Sequence, residues 1–186
     1  MTIEHETTST QLPGIAGLSM KDFEKHRANF FDKMEPNSLA FFSAATEVIR
    51  SNDTEFSFCQ NKNFYYLTGF NEPDALLVLL KTNGSQRSIL FSLPKDKNHE
   101  IWHGRRVGQE RACQHYIFEV PDLVPQYLSD LKHVYFSFDD QKMSHQVFTW
   151  LSKVRSTTRQ GNKVPEVLFD ASPIINELRL IKTANE

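Results

Sequence analysis

Residues 74–81 read DALLVLLK, and after TNGSQ the chain returns as SILFSL at 88–93. Side chains alternate between the two faces of a strand, so an unbroken run from Leu76 to Leu80 places aliphatic groups on both faces. A strand of that kind is stable only inside a sheet that is covered on both sides. The Asn83-Gly84 pair between the two runs is a hairpin signal, which predicts that 74–81 and 88–93 pair antiparallel. Whatever else the chain contains must therefore supply further strands and two layers of cover.

The flanking sequence offers both. Ser19 and Asp22 form a capping pattern ahead of Phe23, Phe30, Phe31 and Met34, which share one helical face, and Pro36 closes that helix. SLAFFSAA (38–45) reads as a buried strand. FYYLTGF (64–70), rich in aromatic and β-branched residues, is expected to be another, ending at Gly69. Downstream, Asp122 and Pro125 open a helix bearing Tyr127, Leu128 and Leu131, and HVYFSF (133–138) is a strand. Met143, Val147, Trp150, Leu151 and Val154 mark an amphipathic helix. EVLFDA (166–171) is extended, and Ser172 as N-cap with Pro173 at the first helical position starts a last helix through Ile174, Ile175, Leu178 and Ile181. The expected fold is α/β, a mixed β-sheet flanked by helices.

Composition narrows the function classes. The 186 residues, 39% hydrophobic and 24% charged, fit one domain with one core, and a formal net charge of -2 gives no electrostatic reason for nucleic acid or anionic membrane as a partner. Cys59 and Cys113 stand far apart, which points to a reducing compartment. No apolar run reaches the length of a membrane span, and the N-terminus lacks the order of a signal peptide, so a cytoplasmic location is expected. The Thr-rich residues 1–18 read as a flexible arm before a domain that begins at Ser19.

One catalytic pattern is present. HEIWH (99–103) matches H-E-x-x-H, in which a helix aims two imidazoles at one zinc ion and a glutamate serves as base. The surroundings oppose it: Pro94 stands five residues upstream, KDKN offers no buried face, and Gly104 follows the second histidine. His99 and His103 are therefore read as exposed or hydrogen-bonded. GxSxG is missing, neither cysteine has a nearby His-Asn pair, and Asp139-Asp140 reads as a helix cap. On residue chemistry alone Trp102 is an aromatic anchor beside two solvated arginines, Asp53 a turn residue and Arg159 a loop charge.

Several blocks nevertheless occur in a familiar order. FYYLTGFNEPDALLVL (64–79), EIW with GRR (100–106), RQ (159–160) and ELRLIK (177–182) together resemble the N-terminal domain of bacterial Xaa-Pro aminopeptidases, also called aminopeptidase P, over roughly residues 20–186. That family does not require histidine at positions 99 and 103, which also speaks against zinc there. The resemblance implies the creatinase N-terminal fold, with a ribonuclease H-like layout, ahead of a "pita-bread" catalytic domain. In that second domain Asp, Asp, His, Glu and Glu hold two metal ions, usually manganese, and none of these ligands is assigned to this chain. The implied reaction removes the N-terminal residue from peptides with proline in second position.

The boundaries that follow are an arm at 1–18, the aminopeptidase P N-terminal domain at 19–182, and the start of a linker to a missing catalytic domain at 183–186. TANE (183–186) fits, since Thr183 and Glu186 have capping-box spacing and announce a helix. By resemblance the domain serves oligomerisation, as a dimer or tetramer of the full-length protein, and closure of the substrate pocket. Trp102 matches the tryptophan that lines a neighbouring subunit's pocket. Asp53 and Arg159 match polar residues near the active-site entrance. Two other readings stay open: a non-catalytic module that binds proteins or peptides, and the same domain of a prolidase or creatinase relative.

Overall fold

A computed structural model describes residues 18–52, 54–93, 124–156, 161 and 163–182. The first helix, α1 (Met20–Lys33), starts at the predicted cap: the Asp22 carboxylate accepts from the Ser19 backbone N–H at 2.7 Å and from its hydroxyl at 2.8 Å. These hydrogen bonds to Ser19 hold the Asp22 carboxyl below its ordinary range. At the other end, Lys81 reaches across to donate to the Phe31 and Met34 carbonyls, 2.7 Å each, satisfying acceptors that the helix leaves open.

Strand β1 (Ser38–Ser43) is followed by a two-stranded hairpin, β2 (Ile49–Ser51) and β3 (Thr54–Glu55). Residues 64–70 correct the expectation of a strand. Residues 64–68 belong to helix α2 (Lys62–Thr68), which Asn61 caps by accepting from the Asn63 and Phe64 N–H groups and which ends at left-handed Gly69, with Phe70 beyond it. Helical spacing buries Phe64, Leu67 and Thr68 on one side, and this packing outweighs the strand preference of the aromatic residues.

Strands β4 (Leu76–Thr82) and β5 (Ser85–Phe91) form the expected antiparallel hairpin, pairing from Leu76 with Phe91 to Thr82 with Ser85. Helix α3 (Val124–Leu128) stops short of Leu131, which is buried beyond it, and Asp122 lies outside the described residues. Then come β6 (His133–Phe136), α4 (Gln141–Ser156), β7 (Val167–Asp170) and α5 (Ser172–Leu180). Ser172 is the first helical residue of α5 and Ala171 its cap, a shift of one position from expectation.

The larger sheet among the described residues is mixed, in the order β5-β4-β1-β6-β7: β1 is antiparallel to β4 and parallel to β6, which is parallel to β7. Its two faces divide the strand side chains by alternation. Ala40, Phe42, Leu77, Leu79 and Leu90 face a layer of α1, α2 and α5. Leu39, Phe41, Val78, Leu80 and Ile89 face α3 and α4, where the Phe41 and Trp150 rings lie 5.0 Å apart. The doubly apolar strand has the two-sided cover that its sequence demands.

Candidate functional site

In open α/β sheets ligands gather beyond the carboxyl ends of the strands. Here β1, β6 and β7 end together, and α4 and α5 begin at the same edge. The polar groups there are engaged with one another. Asp140 accepts from the Met143 N–H at 2.9 Å, as the sequence predicted for a cap, and its second oxygen accepts from the Ser43 hydroxyl. Asp170 accepts from the Ser172 N–H at 2.9 Å, and the Ser137 and Ser172 hydroxyls lie 2.8 Å apart. Carboxylates thus fill the helix starts where an anion would bind. No group of three or more His, Cys, Asp or Glu among the described residues could hold a metal ion.

A different surface exposes apolar side chains. The β2–β3 hairpin exposes Val48, Ile49 and Phe56, with the Arg50 guanidinium 5.9 Å from the Phe56 ring centre. Its base is held by Gln60, which accepts from the Ala45 and Asn61 N–H groups (2.7 and 2.8 Å) and donates to the Phe70 and Glu72 carbonyls (3.2 and 2.8 Å). Two backbone bonds, from Ala44 to Ala75 and from Asp74 to Ala45, complete the attachment. Apolar groups held outward on a fixed base mark an interaction surface more readily than scattered exposed residues do. Nothing in the local sequence distinguishes Gln60 from other loop polars.

Between α1 and α2 lies a buried polar cluster that sequence reading passed over. The His26 Nδ1–H donates to the Tyr66 carbonyl at 2.7 Å, and Arg27 donates to the Leu67 carbonyl at 2.8 Å. Both carbonyls belong to the last turn of α2, where a helix has unsatisfied acceptors and favours nearby cationic groups. The His26 and Tyr66 rings stack at 3.9 Å. The signal was present in the spacing: His26 and Arg27 fall three and four residues after Phe23 and so share its buried stripe. On the same side of the sheet, burial raises the Tyr135 hydroxyl above its ordinary range although its oxygen accepts from the Glu35 N–H at 3.1 Å.

Trp102, Asp53 and Arg159 lie outside the described residues, as do His99 and His103. The structure neither joins nor separates the three proposed pocket residues. Of their neighbours, Ser51 and Thr54 pair across the turn of the β2–β3 hairpin, and Ser156 ends α4. No helix among the described residues is long and apolar enough to cross a membrane.

Comparison with known proteins accords with this architecture. The family pattern "Aminopeptidase P, N-terminal domain" matches residues 23–136. The Xaa-Pro aminopeptidase of Escherichia coli (strain K12) is 35% identical over 181 residues, covering 92% of this chain and 41% of the relative. That of Haemophilus influenzae is 36% identical over 183 residues, covering 95% and 40%. The low-pH form of E. coli aminopeptidase P superimposes with a TM-score of 0.85 at 35% identity, covering 91% of this chain and 40% of that one. The chain therefore spans well under half the length of these relatives. With the same α/β architecture and a family pattern that runs from α1 to the end of β6, the chain belongs to the aminopeptidase P N-terminal domain family.

Proposed function

We propose that this chain is the N-terminal domain of a metal-dependent Xaa-Pro aminopeptidase, and that it assembles subunits and closes the substrate pocket while hydrolysis takes place in a following catalytic domain. The observation that carries the reading is the 35% identity with the E. coli Xaa-Pro aminopeptidase along 92% of this chain. The substrates would be peptides with proline in second position, and the setting the cytoplasm. Two manganese ions in the following domain would supply a hydroxide nucleophile at neutral pH and polarise the tertiary amide. The described residues do not fit such a centre, so no step of the hydrolysis is assigned to them.

The role in assembly is supported by the exposed Val48, Ile49 and Phe56 at the β2–β3 hairpin. Asp53, Trp102 and Arg159 are the residues proposed to reach the pocket, Trp102 from one subunit into its neighbour in a dimer or tetramer. Trp102→Ala tests this. In a pocket-lining role the substitution changes the stability of the 186-residue chain by less than about 0.5 kcal/mol. In the full-length oligomer it weakens catalysis on peptides by about tenfold or more, because contact aromatics dominate binding energies. A stability loss of about 3–5 kcal/mol with unchanged kinetics per folded molecule would make Trp102 a core anchor and overturn the pocket role.

A further inference from the structure

We infer that Asn83 is a site of spontaneous covalent modification, at which the tip of the β4–β5 hairpin converts asparagine to aspartate and isoaspartate through a succinimide closed by the Gly84 nitrogen. Among the chain's asparagines, Asn83 alone is followed by glycine. Both residues are exposed, in the turn beyond Thr82 and Ser85, the last paired residues of the hairpin. An Asn-Gly pair favours a type I′ turn, with positive φ at both central residues, but of the two only Gly84 has one, at +113°. Instead the Gly84 N–H closes a three-residue turn on the Thr82 carbonyl at 2.8 Å, with Asn83 at its centre. Such a bond at an exposed tip opens without disturbing the core.

Ring closure requires that the following backbone nitrogen reach the asparagine Cγ without crowding. Gly84 has no Cβ, and no atom lies within 4 Å of where one would stand. Asn61 and Asn63 are placed differently. The Asn61 side-chain oxygen accepts from the Asn63 and Phe64 N–H groups at 2.9 and 3.2 Å, and that of Asn63 accepts from Arg179 at 2.6 Å. At Asn83 the Gly84 nitrogen gives its proton to hydroxide and bonds to Cγ. The Cγ–Nδ2 bond breaks, and ammonia leaves with a proton from water. A second water opens the ring. Attack at Cγ restores the backbone and leaves aspartate, whereas attack at the main-chain carbonyl carbon leaves isoaspartate, with one methylene more in the chain. Nothing is oxidised or reduced, and either product adds one negative charge. The strands stay paired meanwhile, because the Thr82 and Ser85 hydroxyls lie 2.8 Å apart across the turn and Leu77, Val78, Ile89 and Leu90 are fully buried.

The test holds the full-length native protein at mildly alkaline pH, samples it over days and digests it with trypsin at mildly acidic pH. Cleavage after Lys81 and Arg87 releases TNGSQR (82–87). Expected is the mass gain of an amide exchanged for a carboxyl, placed on Asn83 rather than Gln86 by fragmentation, as an aspartate and isoaspartate pair that chromatography separates. Asn61 and Asn63 should stay unchanged, and conversion at Asn83 should quicken with pH. Gly84→Ala puts a Cβ beside the attacking nitrogen and should slow conversion about tenfold or more. Asn83→Gln, which would need a six-membered ring, should abolish it. An Asn83 that remains intact while the free peptide of residues 82–87 converts would overturn the inference, because the folded turn would then shield it. Equal conversion of wild type and Gly84→Ala would overturn it as well.

Discussion

Replacing Leu77 with alanine is expected to destabilise the chain by about 2–5 kcal/mol, the range for large aliphatic side chains cut back in a packed core. Leu77 is fully buried on β4, and its partners in the neighbouring strands are Phe42 and Leu90. All three belong to the face covered by α1, α2 and α5, where Phe30 meets Phe42 edge-on at 5.0 Å. The sheet and the helical layer of α1, α2 and α5 close on this point, which leaves little freedom to collapse around the lost atoms. Denaturant unfolding of the 186-residue chain measures the cost. A loss below about 0.5 kcal/mol would be a surface value and would contradict the two-sided cover of β4.

Gly69→Ala is expected to cost about 2–5 kcal/mol, through two effects at one position. Gly69 ends α2 with φ +64°, a left-handed conformation that costs other residues about 1–2 kcal/mol. A Cβ there would also run into the Phe23 ring, and such overpacking adds about 1–3 kcal/mol. Phe23 cannot simply retreat, since it is buried with its ring edge-on to His26 and Tyr65, at 6.0 and 5.9 Å. Gly84 provides the comparison. Its φ of +113° also favours glycine, but no atom lies within 4 Å of its added Cβ, so Gly84→Ala should cost less than Gly69→Ala in the same unfolding measurement. Equal losses would remove the steric part of the explanation.

Much of the fold is legible in the sequence because most elements are decided by local periodicity. The stripe from Phe23 to Met34, the doubly apolar β4, the Asn83-Gly84 turn and the helix from Met143 to Val154 each have a period or a turn signal that packing reinforces. Residues 64–70 mislead for a physical reason. Their side chains favour a strand, whereas the caps at Asn61 and Gly69 and the carbonyl contacts from His26 and Arg27 favour a helix, and those contacts come from 40 residues away. The β2–β3 hairpin is too short and too exposed to leave an alternating pattern. Gln60 is a similar case, since its four hydrogen bonds link segments that sequence reading cannot bring together. Trp102, Asp53 and Arg159 became candidates through resemblance, because neither periodicity nor residue chemistry distinguishes a pocket tryptophan from a core anchor.

Peptide hydrolysis by the full-length protein and by the 186-residue chain, assayed side by side with manganese present, tests the proposed division of labour most directly. The substrate is a short peptide with proline second, and the same peptide with alanine second is the reference. Expected is release of the first residue from the proline peptide by the full-length protein alone, with the 186-residue chain indistinguishable from buffer. Cleavage by the 186-residue chain would place catalysis within these residues. A full-length protein that leaves the proline peptide intact despite a complete set of downstream metal ligands would contradict the assignment to Xaa-Pro aminopeptidase chemistry.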